Sequence, residues 1–361
     1  MSRSVMCGGV QIGGGAPVSI QSMTNTDTRD VAATTAQILD LASAGCEIVR
    51  LAVPDAAAGE AFGKIKSELG ARGFSIPMVA DIHFDYRLAL LAIERGADKI
   101  RINPGNIGSE NRIREVANAA AAAGIPIRVG VNSGSLEREI LEKYGGVVPA
   151  ALAESALLNA ERLERFGFSD IVISMKSSDV RLNYEAYRLA KEQSSYPLHV
   201  GVTEAGSGTR AIVKSAVGIG ALLLEGIGDT VRVSLTGNPV EEVEAARSIL
   251  EASGVRDATI DLISCPTCGR TRVDLPALAA KLEARIPELV RERRLRGLPL
   301  GLRVAVMGCA VNGPGEARGA DLGVACGTAE GLIFSKGEII KKVPESEILH
   351  ELEKLILAHK K

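Results

Sequence analysis

The chain has 361 residues, of which 46% are hydrophobic, so it can form one large domain and a smaller one, each with its own core. Its net charge is only −2, aromatic residues make up 3%, and tryptophan is absent. This composition argues against a nucleic-acid partner, which needs a basic face or stacking platforms. No apolar run approaches the roughly 18 residues of a membrane span, and the first residues lack the apolar core of a signal peptide. We therefore expect a cytoplasmic protein with neither a nucleic-acid nor a membrane partner.

Apolar, β-branched runs recur at regular spacing over the first 255 residues, with helical stretches between them. This alternation predicts βαβ units and a parallel sheet. The number of units fits a (β/α)₈ TIM barrel of roughly 250 residues, and a doubly wound sheet is the alternative that periodicity leaves open. The predicted strands are 17–23, 46–53, 76–84, 98–104, 125–132, 170–176, 197–204 and 229–235, and the predicted helices include 34–45, 86–97, 111–124 and 150–167.

Most of the predicted strands end in a charged or amide side chain. The carboxyl ends of barrel strands meet at one mouth, where barrel enzymes hold their active sites, and this favours the barrel over the doubly wound sheet. Cations outnumber carboxylates, and arginine forks match phosphate oxygens, so we expect a small phosphorylated ligand. The alternative hypothesis is that each arginine lies on the solvated outer rim of the barrel. The residues are Arg50, Asp81, His83, Arg101, Asn103, Arg128, Asn132, Lys176, Glu204, Arg232 and Ser234.

The rhythm changes after a predicted helix at 239–254. We therefore predict a barrel domain over residues 1–255 and a small α+β domain over residues 256–361. The second domain is predicted to contain a strand that runs into a cysteine turn within 257–270, a charged helix at 274–297, strands near 302–306, 321–326, 331–336 and 338–343, and a final helix at 344–359.

Cysteine spacing in the second domain indicates a metal site. Cys265 and Cys268 form a C-x-x-C turn, and Cys309 lies on the turn "GCAVNGPGE". This set can hold zinc, an iron–sulfur cluster or nothing, but zinc lacks a second C-x-x-C or an H-x-H nearby. Three thiolates can hold a [4Fe–4S] cluster. Glu316, on the turn of Cys309, is then a candidate for the fourth ligand, and Cys326 is its competitor.

The other cysteines are expected to be structural. Cys326 lies within the apolar run "LGVACG", which predicts a buried strand. Cys7 and Cys46 are likewise expected to be small apolar fillers of the core. The absence of an export signal favours a reducing compartment, where close cysteines bind metals more often than they form disulfides.

Long ordered segments of the chain resemble the 4-hydroxy-3-methylbut-2-enyl diphosphate synthases, which catalyse the penultimate step of the methylerythritol phosphate route to isoprenoids. The resemblance extends from about residue 5 almost to the C-terminus and is to the two-domain bacterial form. The segments are 18–30, 80–89, 99–108, 128–137, 174–179, 201–206, 218–237, 263–270 and 308–317.

The resemblance implies a TIM barrel followed by a [4Fe–4S] domain, with Cys265, Cys268, Cys309 and Glu316 as the cluster ligands. It implies that 2-C-methyl-D-erythritol 2,4-cyclodiphosphate binds in the barrel mouth and undergoes two-electron reductive ring opening. Glu204 then matches the position of the family's proton donor. Diphosphate-binding positions are matched by Arg101, Asn103, Arg128, Asn132, Lys176, Arg232 and Ser234, polar positions near the reacting carbons by Asp81 and His83, and a further substrate position by Arg50.

The family also implies partners. A ferredoxin or flavodoxin would deliver electrons singly, and a head-to-tail homodimer would place one chain's cluster over the other's barrel. Two rival hypotheses differ in class. One is a non-redox barrel of the dihydropteroate synthase type with a zinc-held tail domain. The other is a protein that binds a phosphorylated metabolite without chemistry.

Overall fold

The computed structural model describes residues 1–309 and 319–360. The chain divides into two compact units, Met1–Arg256 and Asp257–Lys361, so the division falls one residue from the predicted boundary. Glu316, predicted as a cluster ligand, lies outside the described residues.

The first unit begins with an antiparallel hairpin and continues as a parallel barrel. Eight strands of its described residues form one sheet in the order β8-β7-β6-β5-β4-β3-β10-β9, and a parallel bridge between Ile173 and Leu198 closes the ring. The TIM barrel is therefore confirmed. The hairpin strands are β1 (Ser4–Cys7) and β2 (Val10–Gly13), and the barrel strands are β3 (Ser19–Met23), β4 (Ile48–Ala52), β5 (Met78–Asp81), β6 (Lys99–Ile102), β7 (Ile127–Asn132), β8 (Ile171–Lys176), β9 (His199–Val200) and β10 (Thr230–Val231).

Helices follow the barrel strands and pack their apolar faces against the sheet. Several begin at an aspartate whose carboxylate accepts a hydrogen bond from the first turn, as Asp55 does from the Ala58 N–H at 2.8 Å. A 3₁₀ turn at Ser133–Ser135 follows β7. The helices are α1 (Val31–Ser43), α2 (Ala56–Ala71), α3 (Tyr86–Glu94), α4 (Pro104–Ile107), α5 (Glu110–Ala123), α6 (Arg138–Tyr144), α7 (Pro149–Glu164), α8 (Val180–Gln193), α9 (Gly208–Leu224) and α10 (Pro239–Ala252).

The hairpin closes the amino end of the barrel. Val5, Cys7 and Ile12 pack on Ile48 and Val79, which lie at the starts of β4 and β5. The sequence analysis did not predict this hairpin, because its strands are only four residues long and are flanked by glycines. The carboxyl ends of the strands lie at the other end of the barrel.

The second unit contains a five-stranded mixed sheet, in the order β11-β12-β13-β14-β15, with parallel pairing up to β13 and antiparallel pairing thereafter. Leucines of its described helices, such as Leu282 and Leu352, are fully buried in its core. Each predicted element is present within a few residues. The elements are β11 (Ile260–Ser264), α11 (Leu275–Leu295), β12 (Leu302–Met307), β13 (Leu322–Gly327), β14 (Glu330–Ser335), β15 (Glu338–Pro344), a 3₁₀ turn (Glu345–Glu347) and α12 (Ile348–Ala358).

Across the described parts of both units, no helix combines the length and apolarity that crossing a membrane requires.

Candidate active site and thiol site

Asp81, the last residue of β5, is the hub of a charged cluster in the barrel mouth. Its carboxylate accepts a hydrogen bond from the Arg101 Nη1 at 3.0 Å and lies 3.6 Å from the Arg50 Nε and from the His83 Nε2. Burial by itself would raise the pKa of Asp81, but Arg50, His83 and Arg101 together hold it far below its usual range. The carboxylate is therefore ionised and fixes two guanidinium groups from neighbouring strands.

Arg128 and Lys176 add two further buried cations. The Arg128 Nη1 donates to the Ser174 Oγ at 2.7 Å, while its Nε and Nη2 have no hydrogen-bond partner among the described residues. Burial and the neighbouring cations lower the pKa of both side chains well below their usual values. A buried cation is costly without a counter-ion, so this arrangement suits an anionic ligand. Arg50, Arg101, Arg128 and Lys176 are at most 9% exposed, so they do not lie on the solvated outer rim.

Two inward-facing glycines make room for these cations. A Cβ on Gly130 would lie 2.6 Å from the Arg101 Nε, and a Cβ on Gly201 would lie 2.9 Å from the Lys176 Nζ. Any larger residue would displace the charged side chain or the backbone. The sequence analysis missed both glycines, since nothing local distinguishes them from turn glycines.

Arg232 follows β10 and pairs with a carboxylate that the sequence analysis missed. Its Nη2 lies 3.2 Å from the Glu242 Oε1, and its Nε lies 3.3 Å from the Glu242 Oε2. Glu242 also accepts from the Ser22 hydroxyl at 2.9 Å and the Leu235 N–H at 3.0 Å. Glu242 belongs to the acidic first turn of α10, where carboxylates commonly interact favourably with the positive end of the helix dipole. Its sequence context therefore does not mark it as a site residue.

The remaining predicted mouth residues lie at strand ends without direct contact to the arginines in the described structure. Asn103 caps α4, accepting from the Gly105 N–H at 3.1 Å, and Asn132 ends β7. Ser234 is half-buried three residues after β10. Glu204 is exposed in the loop after β9 and has φ +52°, a left-handed conformation that is costly for a residue with a side chain. Strained backbone of this kind is common at functional sites.

The barrel interior is polar well beyond the predicted residues. Lys99 and His199 are fully buried, and neither side chain has a hydrogen-bond partner among the described residues. Burial lowers the pKa of Lys99 to about 8, and burial and nearby cations lower the pKa of His199 well below its usual value. His199 is therefore neutral. The hydroxyl and amide groups of Ser19, Gln21 and Thr230 are also buried and unpaired within the described chain.

The predicted thiol ligands lie at the carboxyl ends of two adjacent strands of the second unit. Cys265 follows β11, and Cys309 follows β12, which pairs with β11 in parallel. The Cys265 Sγ accepts a hydrogen bond from the Gly308 N–H at 3.3 Å. Hydrogen bonds from Arg270 lower the pKa of the exposed Cys268. Lowered thiol pKa and exposure favour the thiolate that a metal requires.

The other cysteines are unsuited to metal binding. Cys326 is fully buried in β13, as the sequence predicted, and burial raises its pKa to about 12. Burial likewise raises the pKa of Cys46 to about 12 and raises that of Cys7.

Cys265, Cys268 and Cys309 are the predicted thiol ligands of an iron–sulfur cluster. Within residues 1–309 and 319–360, no three His, Cys, Asp or Glu side chains are close enough to hold one metal ion. The ligands of a [4Fe–4S] cluster bind to different irons, so they need to surround a volume and do not have to meet at one point. The thiols of Cys265, Cys268 and Cys309 are all free.

Comparison with protein families assigns both units. A model described as the GcpE TIM-barrel domain matches residues 2–247, and one described as the GcpE protein C-terminal domain matches residues 261–358. Together they span most of the chain.

Full-length relatives share more than half of their residues with this chain. The chain is 54% identical over 356 residues to 4-hydroxy-3-methylbut-2-en-1-yl diphosphate synthase (flavodoxin) of Caldanaerobacter subterraneus subsp. tengcongensis, covering 99% of this chain and 96% of that protein. The enzyme of the same name from Clostridium perfringens is 55% identical over 355 residues, covering 98% of each chain.

A solved structure shares the barrel fold. The 7,8-dihydropteroate synthase of Vibrio fischeri ES114 aligns with a TM-score of 0.50 and 12% identity, covering 70% of this chain and 97% of that one. At this identity the likeness shows the fold alone.

Proposed function

The chain belongs to the GcpE family, and on that premise we propose that it converts 2-C-methyl-D-erythritol 2,4-cyclodiphosphate to 4-hydroxy-3-methylbut-2-enyl diphosphate in isoprenoid biosynthesis. It is an oxidoreductase. In the reaction two electrons enter, the ring carbon–oxygen bond to phosphate and one carbon–hydroxyl bond break, and a carbon–carbon double bond forms. The diphosphate leaves the ring carbon with one electron pair, and the hydroxyl departs as water after protonation.

The observation that best supports this assignment is a set of buried cations at one end of the barrel. Some of their N–H donors have no hydrogen-bond partner among the described residues. Arg50, Arg101, Arg128 and Lys176 are all nearly buried, while Asp81 is the one carboxylate that contacts two of them among the described residues. A cyclic diphosphate supplies the missing negative charge and accepts hydrogen bonds from arginine forks.

The mouth residues hold and orient the substrate. Arg101 and Arg128 lie in adjacent strands at the same register, so their forks can bind neighbouring phosphate oxygens. The anion site extends around the barrel mouth to Lys176, Arg232 and Ser234. Neutral hydrogen-bond donors are added by Asn103 and Asn132. Asp81 keeps Arg50 and Arg101 in place, and His83, whose side chain is 57% exposed, lies beside it. We place the reacting carbons of the substrate near Asp81 and His83.

Cys265, Cys268 and Cys309, with Glu316, would hold a [4Fe–4S] cluster, which when bound supplies single electrons and a Lewis-acidic iron. The position of the thiols after two adjacent parallel strands supports this proposal. Glu204 carries out the proton chemistry: its carboxyl donates the proton that lets the hydroxyl leave as water. Its backbone has φ +52°, in the left-handed region, and strained backbone of this kind is common at functional sites.

We infer that flavodoxin delivers the electrons, as the names of the relatives state for those enzymes. A ferredoxin of similar potential would be a second donor. Free cysteines and a flavodoxin partner are both suited to a reducing compartment, and we place the protein in the cytoplasm.

Anaerobic purification tests the assignment. Brown protein with four irons per chain, which forms 4-hydroxy-3-methylbut-2-enyl diphosphate with reduced flavodoxin, is the expected result. Colourless zinc-loaded protein would instead support the dihydropteroate synthase-like alternative. Tight substrate binding without turnover under any reductant would indicate a binding protein.

The role of Glu316 can be tested by comparing iron content with turnover in two variants. Glu316→Ala should keep a fragile cluster on three cysteines with much reduced turnover. Glu316→Cys should keep good iron content and reversible reduction but form little product, because a fourth thiolate does not yield its iron to substrate. Wild-type turnover in Glu316→Cys would make Glu316 a structural residue of its turn.

We further propose a head-to-tail homodimer in which the cluster of one chain serves the barrel of the other. Mixing Arg232→Ala chains with Cys309→Ala chains tests it, because a mixed dimer contains one intact barrel facing one intact cluster. Recovered activity supports the arrangement. A mixture as inactive as its parents, with subunit exchange demonstrated, indicates that each barrel uses its own cluster.

A further inference from the structure

A methionine sulfur lies between two arginines of the barrel mouth. The Met23 Sδ accepts from the Arg50 Nη2 at 2.9 Å and from the Arg50 Nε at 3.1 Å, and the Arg232 Nη1 approaches it at 3.7 Å. Met23 ends β3, which lies in the sheet between β4, the strand of Arg50, and β10, the strand that Arg232 follows. Its position therefore spans the two side chains.

Each of the two arginines also has a neighbouring carboxylate. Arg232 contacts both oxygens of Glu242 at 3.2 and 3.3 Å, and Arg50 lies 3.6 Å from Asp81. Between them the acceptor is a thioether, which carries no charge. A carboxylate in its place would be a third one beside the two arginines, whereas a purely apolar side chain would remove the sulfur that accepts from the Arg50 Nη2.

We propose that Met23 is a positioning residue, a neutral acceptor that brings Arg50 and Arg232 together at the mouth without cancelling their charge. The two guanidinium groups then face a diphosphate with no carboxylate of the described residues beside them other than Glu242 and Asp81. This inference rests on the proposed function, because it takes a diphosphate as the ligand of the two arginines.

Three substitutions at Met23 separate its acceptor role from its neutrality. Met23→Leu conserves volume but removes the acceptor, Met23→Gln supplies a neutral acceptor, and Met23→Glu supplies a charged one. Calorimetry measures the binding of inorganic pyrophosphate and of the cyclic diphosphate to each purified holoenzyme. Met6→Glu, on the half-exposed hairpin strand at the opposite end of the barrel, is the matched control for the charge change.

We expect both ligands to bind Met23→Leu about tenfold more weakly, as for the loss of a hydrogen bond to a charged group. Met23→Gln should stay within about threefold of wild type, and Met23→Glu should bind weakest, by more than about thirtyfold, because a new ion pair opposes the ligand. KM should follow the same order while kcat changes less, since the arginines bind the diphosphate before and during reaction. Met6→Glu should match wild type.

Wild-type affinity in Met23→Leu, or Met23→Gln as weak as Met23→Leu, would overturn the acceptor role. Met23→Glu as tight as Met23→Gln would overturn the neutrality argument. The parent hypothesis has its own readout in Arg128→Ala. Suppose that wild type binds both ligands, that Arg128→Ala binds neither, and that the three Met23 variants bind both with wild-type affinity. In that case only this inference fails. If wild type binds neither ligand, the proposed function fails along with it.

Discussion

The barrel mouth and the thiol site hold their functional groups in opposite ways. In the mouth, charged side chains project from β-strands, are almost fully buried, and contact one another directly, as Arg101 contacts Asp81 at 3.0 Å. At the thiol site, Cys265 and Cys309 follow strand ends, and Cys268 is exposed on the turn after Cys265. The charged groups of the mouth are therefore held mainly by one another, whereas the thiols are placed mainly by the turns that follow the strands.

The difference follows from the chemistry of the two ligands. A diphosphate is recognised through several hydrogen bonds of fixed direction, and buried cations that repel one another need a framework to hold them. Thiolates form bonds with iron that themselves supply much of the energy of the site, so the chain needs only the right spacing. Substitutions should therefore affect the thiol site by losing the metal and the mouth by losing affinity.

The largest expected effect is at the thiol site. Cys309→Ala should lose most of its iron and nearly all activity, because two thiolates hold a cubane poorly. Iron analysis and visible absorbance of anaerobic protein measure this. Cys326→Ala is the matched control: it removes a fully buried thiol from β13, so it should cost stability but retain iron in the folded protein. Equal iron loss in both variants would contradict the assignment of Cys309.

In the mouth, Arg128→Ala should raise KM at least tenfold while the cluster absorbance stays unchanged, since a charge-assisted hydrogen bond contributes roughly 1.5–3 kcal/mol. Steady-state kinetics with the cyclic diphosphate give the values. Arg138→Ala, whose native side chain is 90% exposed in α6, should leave KM as it was. A normal KM in Arg128→Ala would remove Arg128 from the anion site.

A smaller effect tests the close packing of the mouth. Gly201→Ala places a methyl group 2.9 Å from the Lys176 Nζ and against the Arg232 carbonyl, so it should destabilise the protein by about 1–2 kcal/mol and raise KM about fivefold. Gly220→Ala in α9 meets nothing within 4 Å and should be neutral or stabilising by up to about 1 kcal/mol. Chemical denaturation and kinetics compare the pair, and indistinguishable stabilities would contradict the steric argument.

The smallest effect is a pH dependence inside the barrel. Burial lowers the pKa of Lys99 from 10.5 to about 8, so between these values the unfolded chain binds more protons than the folded one. The contribution of Lys99 to the free energy of unfolding therefore rises with pH across this window and is at its most unfavourable below it. Lys99→Met should be more stable than wild type by about 1 kcal/mol at pH 7.

That advantage should shrink between about pH 8 and pH 10, because the folded lysine is neutral in this range and removing the proton that the unfolded lysine still carries costs less as the pH rises. Denaturation curves of both proteins at pH 7, 8, 9 and 10 measure it, and titrating groups common to both cancel in the difference. A constant difference across the series would mean that the folded pKa of Lys99 is close to its usual value.

The sequence by itself determined the barrel, and it placed the boundary between the two units one residue from where the structure divides the chain. Each of these properties is encoded locally. Alternating strand and helix patterns specify βαβ units, an Arg or Asn at alternate strand positions faces the same side, and the spacing of Cys265 and Cys268 needs only a turn. The burial of Cys326 was likewise readable from the apolar run around it.

The tertiary structure decided which polar groups meet. Met23 contacts Arg232 across 209 positions of the chain, and Ser22 contacts Glu242 across 220, because closure of the ring places β3 beside β10. Nothing near these residues in sequence indicates such partners. The same closure buries Lys99 and His199 without protein partners among the described residues, and it leaves the amino end to be covered by a hairpin too short to predict. Local patterns specify which face of a strand is polar, whereas only the closed barrel specifies what that face contacts.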